Sequence, residues 1–123
     1  MTGVQTCALP ISGLQQAKRL ALLAEMIDAA EAHRLGLVTW VVEAEEIGGF
    51  VTDLGRRLAA GPPVAIAQSK ALLNEGADRT MRDALASEAR TQTINFATAD
   101  APAAFAAFNE KREPSFTGEW AVR

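Results

Sequence analysis

Few residues in this chain could carry chemistry, and most of those lack the companions chemistry requires. His33 is the only histidine. A catalytic role would need a positioned partner, and the sequence names none, so it reads as a solvated residue on the flank of a short helix. Glu43, Glu45 and Glu46 bring three carboxylates together, but at a helix start, where the dipole favours acids. They read as a solvated turn, not an acid–base pair. Cys7 is the single cysteine, which excludes an internal disulfide framework and offers no metal cluster. The sequence has no zinc-ligand spacing, no phosphate-cradling glycine loop and no G-x-S-x-G. What remains is a series of long side chains near the C-terminus: Gln92, Phe96, Phe105, Phe108 and Lys111. On residue type alone, Lys111 complements the dipole of the last helical turn, and the phenylalanines are core or interface anchors.

These residues need elements to position them. The 123 residues allow at most one domain with a modest core. Hydrophobic residues make up 49% and charged residues 22%, the balance of a folded chain and not a disordered one. A net charge of -3 with scattered Lys and Arg gives no basic field for nucleic acid, and no apolar run is long enough to span a bilayer. Gly13 to Leu23 has the residues of a helix. Asp28 with Glu31 is a capping-box variant opening a second, short helix, and Gly36 stands where a left-handed C′ residue ends it. Leu37 to Val42 is apolar and rich in β-branched residues, which predicts a strand.

Ile47, Phe50, Val51, Leu54 and Leu58 then form one helical stripe, with Gly48-Gly49 placing the firm start near Phe50. Gly61-Pro62-Pro63 stops that helix and opens the next, which Asn74-Glu75-Gly76 ends. Thr80, with Asp83, caps a long helix that carries Met81, Leu85, Ala89, Gln92 and Phe96 along one side. Asp100 caps the last helix, and Pro114 to Arg123 is a tail that drapes over another surface. Trp40 and Trp120 read as packing or interface residues. The fold class expected is a mainly α fragment with one short strand. A lone strand has no sheet, so Leu37 to Val42 calls for a partner outside this chain.

The first dozen residues read differently from the rest. MTGVQTCALPI shows no periodicity, no cap and no signal-peptide layout. It equals the translation of a common sequencing-adapter sequence with GTG read as the start. Residues 1–12 are therefore expected to be a non-native tail, with the true protein extending upstream of Gly13 and residues 119–123 forming a terminal tail.

Three stretches carry a resemblance. I-D-A-A-E-A-H-R-L-G-L-V over Ile27–Val38, Pro62-Pro63 with Lys70, and the closing Thr98, Asp100, Ala107, Phe108, Glu110, Lys111, Arg112, Pro114, Phe116 and Gly118 stand in the order and wording of one family. From about Gly13 to Gly118 the chain resembles the enoyl-CoA hydratase/isomerase (crotonase) family. It departs at Leu23-Ala24, where a T-G turn is usual, and at Ala103-Ala104, where Glu-Gly is usual.

The resemblance implies the C-terminal helical region of a crotonase-like spiral of ββα units. It implies an acyl-CoA substrate, with coenzyme A as part of the thioester and no separate cofactor. Two backbone N–H groups would form an oxyanion hole for a thioester enolate, and in the hydratases two glutamates add water as acid and base. All four groups would lie upstream of Gly13, leaving no catalytic residue here. Lys111 is implied to approach the CoA phosphates of a neighbouring subunit. Gln92 stands where some hydratases place an aromatic, and Gln92, Phe96 and Phe108 are implied as substrate or trimer-interface contacts. The parent is expected to be a cytoplasmic homotrimer or dimer of trimers hydrating 2-enoyl-CoA. An isomerase, a thioester hydrolase and a non-catalytic helical module are the alternatives. As written, the chain is expected to be inactive and to expose apolar faces.

Overall fold

The computed structural model describes residues 3–76 and 78–121. The expectations for Met1 and Thr2, for the end of the tail at Val122 and Arg123, and for the Cys7 side chain lie outside the described residues. Among the described residues six helices follow in order: α1 (Gly3–Leu23), α2 (Ala29–Arg34), α3 (Ile47–Ala59), α4 (Pro63–Gly76), α5 (Met81–Phe96) and α6 (Asp100–Glu110). The chain divides into two units, Met1–Phe50 and Val51–Arg123, with α3 crossing the boundary.

In the first unit, local chemistry sets the elements. α1 is interrupted at Gly13, whose φ of 78° and ψ of 161° are not helical, so the segment before Gly13 and the helix after it are separate pieces. α1 ends at Ala24, which takes a φ of 51° where glycine would carry no Cβ penalty. Asp28 caps α2 as its spacing predicts, its Oδ1 accepting from the Glu31 N–H at 2.7 Å. Gly36 (φ 75°) closes α2 in a Schellman motif. The Gly36 N–H reaches the His33 carbonyl and the Leu37 N–H the Ala32 carbonyl, both at 2.9 Å.

Arg19 joins α1 to α2, bonding Glu25 at 2.7 Å and Glu31 at 3.1 Å, while Arg34 bonds Glu31 at 2.7 Å. Hydrogen bonds from Arg34 and then Arg19 hold the Glu31 carboxyl down to about 2. Trp40 meets Phe50 edge-on, with ring centroids 5.5 Å apart.

The expected strand does not form. Residues 37–42 carry no strand, and none is present among the described residues. Backbone N–H and C=O groups stabilise a strand only when a neighbour pairs with them, and the described residues offer none. The two glycines do not delay α3 either. It starts at Ile47, and the Phe50 N–H bonds the Glu46 carbonyl at 3.0 Å.

In the second unit α4 packs on α5 and α5 on α6. Thr80 caps α5 with the expected partner, accepting from the Asp83 N–H at 3.2 Å. Asp100 does not cap α6. It is the first helical residue, behind Ala99, and its carboxylate turns to the tail, accepting from the N–H groups of Thr117 at 2.7 Å and Gly118 at 2.9 Å. The Ala99 N–H to Glu119 carbonyl and Ala121 N–H to Ala97 carbonyl bonds, both 2.8 Å, make an isolated antiparallel bridge between Thr98 and Trp120. The tail therefore folds back on its own unit. Gly118 permits this in two ways: its φ is 72°, and a Cβ there would stand 2.6 Å from Pro63 Cγ.

Burial is slight. Among the described residues the only buried hydrophobic side chains are Ala17 and Ala107, while Thr98 and Asp100 are 3% and 5% exposed. The side of α5 that the sequence makes apolar is open: Met81, Leu85 and Phe96 are all exposed.

Candidate functional site

α5, α6 and the residue that follows α6 carry all four candidate residues. Phe96, at the last residue of α5, stacks on Phe105 of α6, with centroids 6.4 Å apart and planes 11° from parallel. Phe108 follows Phe105 by three residues and Lys111 follows Phe108 by three, the spacing that sets side chains along one side of a helix. Phe108 is 83% exposed and Phe105 61%. A core role for these rings is therefore corrected: their own unit leaves both largely exposed. An exposed stacked aromatic pair with a third ring beside it is an apolar contact surface.

Lys111 is not in the last turn of α6. It lies just beyond it as the C′ residue, in left-handed geometry at φ 53° and ψ 41°. Its N–H bonds the Phe108 carbonyl at 3.2 Å and the next N–H, of Arg112, bonds the Ala107 carbonyl at 3.0 Å, a Schellman closure. A non-glycine residue in that conformation costs about 1 kcal/mol. The lysine side chain is exposed, its charge near the carbonyl end of the helix.

Gln92 lies one turn before Phe96 and is exposed. It lines a cleft of about 360 Å³ with Ser69, Asn95, Thr98, Asp100 and Phe116, and Lys111 is not among the lining residues. The structure thus joins Phe96 to the α6 aromatic row and sets Gln92 in a separate cleft. The buried Asn95 Oδ1 finds no partner among the described residues.

Sequence reasoning missed the tail clasp at Asp100. Its residues were visible, but the bonds run 17 and 18 positions along the chain, beyond any local periodicity. His33 takes a modest role: its Nδ1 lies 3.3 Å from the Val38 carbonyl, which it bonds as donor. Among the described residues no group of His, Cys, Asp and Glu is arranged to hold a metal. No helix there is long and apolar enough to cross a membrane.

The family model described as enoyl-CoA hydratase/isomerase matches residues 2–119. The crotonyl-CoA hydratase of Syntrophomonas wolfei is 38% identical over 104 residues, covering 85% of this chain and 40% of that protein. The 1,2-epoxyphenylacetyl-CoA isomerase of Escherichia coli is 32% identical over 115 residues, 93% of this chain and 44% of that protein. Among solved structures, an enoyl-CoA hydratase from Bacillus anthracis superimposes with a TM-score of 0.89 at 26% identity, over 95% of this chain and 45% of that one. The chain spans about two-fifths of the length of the curated relatives it matches.

Proposed function

Because the chain belongs to the enoyl-CoA hydratase/isomerase family, we propose that it is the C-terminal helical part of an enzyme that adds water to 2-enoyl-CoA thioesters. The observation that carries this reading is the match over residues 2–119, joined by the 38% identity to a crotonyl-CoA hydratase. The polarising N–H pair and the two acid–base glutamates belong to the part of the enzyme upstream of Gly13.

In this reading α5 and α6 supply contact and not chemistry. Phe96, Phe105 and Phe108 form the apolar surface against which a neighbouring subunit of a homotrimer, or dimer of trimers, packs. Burying a phenylalanine is worth about 1.5–3 kcal/mol, so three such rings per interface make a substantial anchor. Lys111, held out by the αL turn, pairs with the phosphates of CoA bound to that neighbour. Gln92, in its separate cleft, contributes a polar contact to substrate or to a neighbouring subunit. Coenzyme A enters as part of the substrate, with no separate cofactor, and the enzyme works in the cytoplasm without nucleic acid or membrane partners.

A second reading keeps the family and changes the reaction to isomerisation, favoured by the 32% identity to an epoxyphenylacetyl-CoA isomerase. The test is a kinetic assay of the reading frame extended upstream of Gly13, using crotonyl-CoA. The expected result is hydration by the extended enzyme, none by the 123-residue chain alone, and a KM raised about tenfold in K111Q with kcat unchanged, as loss of one charge-assisted contact implies. Hydration by the 123-residue chain alone contradicts the reading; an extended enzyme that isomerises its substrate selects the second.

A further inference from the structure

One polar cluster, on α4, α5 and the turn between them, has no part in the site described above. Ser87 is a buried polar residue, 7% exposed. Its Oγ accepts from two guanidinium groups, Arg79 Nη1 and, at 3.2 Å, Arg90 Nη2. Arg79 also bonds the Glu75 carboxylate. Among the described residues Arg90 has no carboxylate partner. Beside the serine lies a cleft of about 490 Å³ whose polar lining is Gln68, Glu75, Arg79, Ser87, Arg90 and Thr91. Glu88 lines the adjoining cleft, of about 420 Å³, together with Arg79 and Ser87.

Two cations sharing one neutral hydroxyl repel one another, and a single carboxylate in the larger cleft answers only one of them. With its oxygen accepting twice, Ser87 has its own O–H left to donate. Gln68 of α4 and Thr91 of α5 line the same cleft and can donate as well. Several donors around one cleft suit a tetrahedral oxyanion better than a planar carboxylate, and the arginine fork matches phosphate oxygens bidentately.

We propose that the cleft between α4 and α5 at Arg79, Ser87 and Arg90 is an anion site that takes a phosphate group, free or as a monoester. Arg90 supplies the unpaired charge and Ser87 fixes the two guanidiniums. Glu75 competes for Arg79, setting a ceiling on affinity that its removal would lift.

The test is calorimetric titration of the full chain, its helix content first verified by circular dichroism, with inorganic phosphate, glycerol 3-phosphate and acetate in turn. The site predicts saturable binding of phosphate, of the monoester or of both, which identifies the source, with acetate much weaker. R90Q should weaken that binding about tenfold, the effect of one charge-assisted pair, and E75Q should strengthen it. K18Q removes one positive charge elsewhere and should leave it unchanged. Equal binding by wild type and R90Q, an equal loss in K18Q, acetate as tight as phosphate, or no saturable binding at all would overturn the site.

Discussion

The two units close their ends with different chemistry. In the first, Arg19, Glu25, Glu31 and Arg34 tie α1 to α2 through charged side chains at the surface. In the second, a buried carboxylate, Asp100, gathers two backbone N–H groups of the tail, and an antiparallel bridge at Thr98 and Trp120 seals it. Exposed ion pairs contribute little and are screened by salt. Hydrogen bonds from backbone N–H groups to a buried carboxylate contribute about 1.5–3 kcal/mol each, and breaking them leaves costly unpaired groups. The first clasp therefore adjusts a junction, whereas the second holds the tail, and with it the exit from α6 at Lys111.

The sharpest way to break this contrast is D100A, which strips both tail N–H groups of their acceptor. A loss of about 3 kcal/mol of local stability is expected, read as lost hydrogen-exchange protection at the Thr117 and Gly118 amides. G118A attacks the same clasp from the tail, combining a φ of 72° with a Cβ 2.6 Å from Pro63 Cγ. It should cost about 2 kcal/mol, with the same amides losing protection and those of α2 unaffected.

In the first unit the effects are smaller. A24G relieves a left-handed alanine (φ 51°) at the end of α1 and should stabilise that end by about 1 kcal/mol, seen as slower exchange in its last turn. Acid gives the smallest effect. The Glu31 carboxyl is held down to about 2 by Arg34 and Arg19, against about 4.3 for a free glutamate. A depressed carboxylate stabilises the fold above its unfolded value, and that contribution drains away as pH falls from about 4.3 through about 2. The α1–α2 junction should loosen over that window in wild type and show no such step in E31Q, by NMR of the α2 amides.

The contrast between the clasps also explains what could be read in advance. Asp28 with Glu31, Gly36, and Thr80 with Asp83 are local signals, with donor and acceptor within one or two turns, and the structure bears them out. The helix stops at Gly61-Pro62-Pro63 and at Gly76 were legible for the same reason. Leu37 to Val42 was misread because β-branched composition records a preference that only a paired neighbour can satisfy. Asp100 was misread because the cap it would supply is local and the bonds it makes are not. For the α6 phenylalanines the core alternative fails and the interface alternative stays open, because apolar periodicity marks a face that wants covering without saying what covers it. Lys111 was assigned to the right end of the right helix and missed by one step, since helix length alone does not reveal a left-handed C′ residue.

The proposal that this chain is the C-terminal part of a longer enzyme is tested by sequencing the source DNA across the Ser12–Gly13 junction. The account predicts that the frame runs on upstream of Gly13 into coding sequence for the remaining three-fifths of the family's length, glycine-rich oxyanion loops and paired glutamates included. A genuine start codon in the place of residue 1, with MTGVQTCALPI encoded in the natural gene and no such sequence before it, would contradict it.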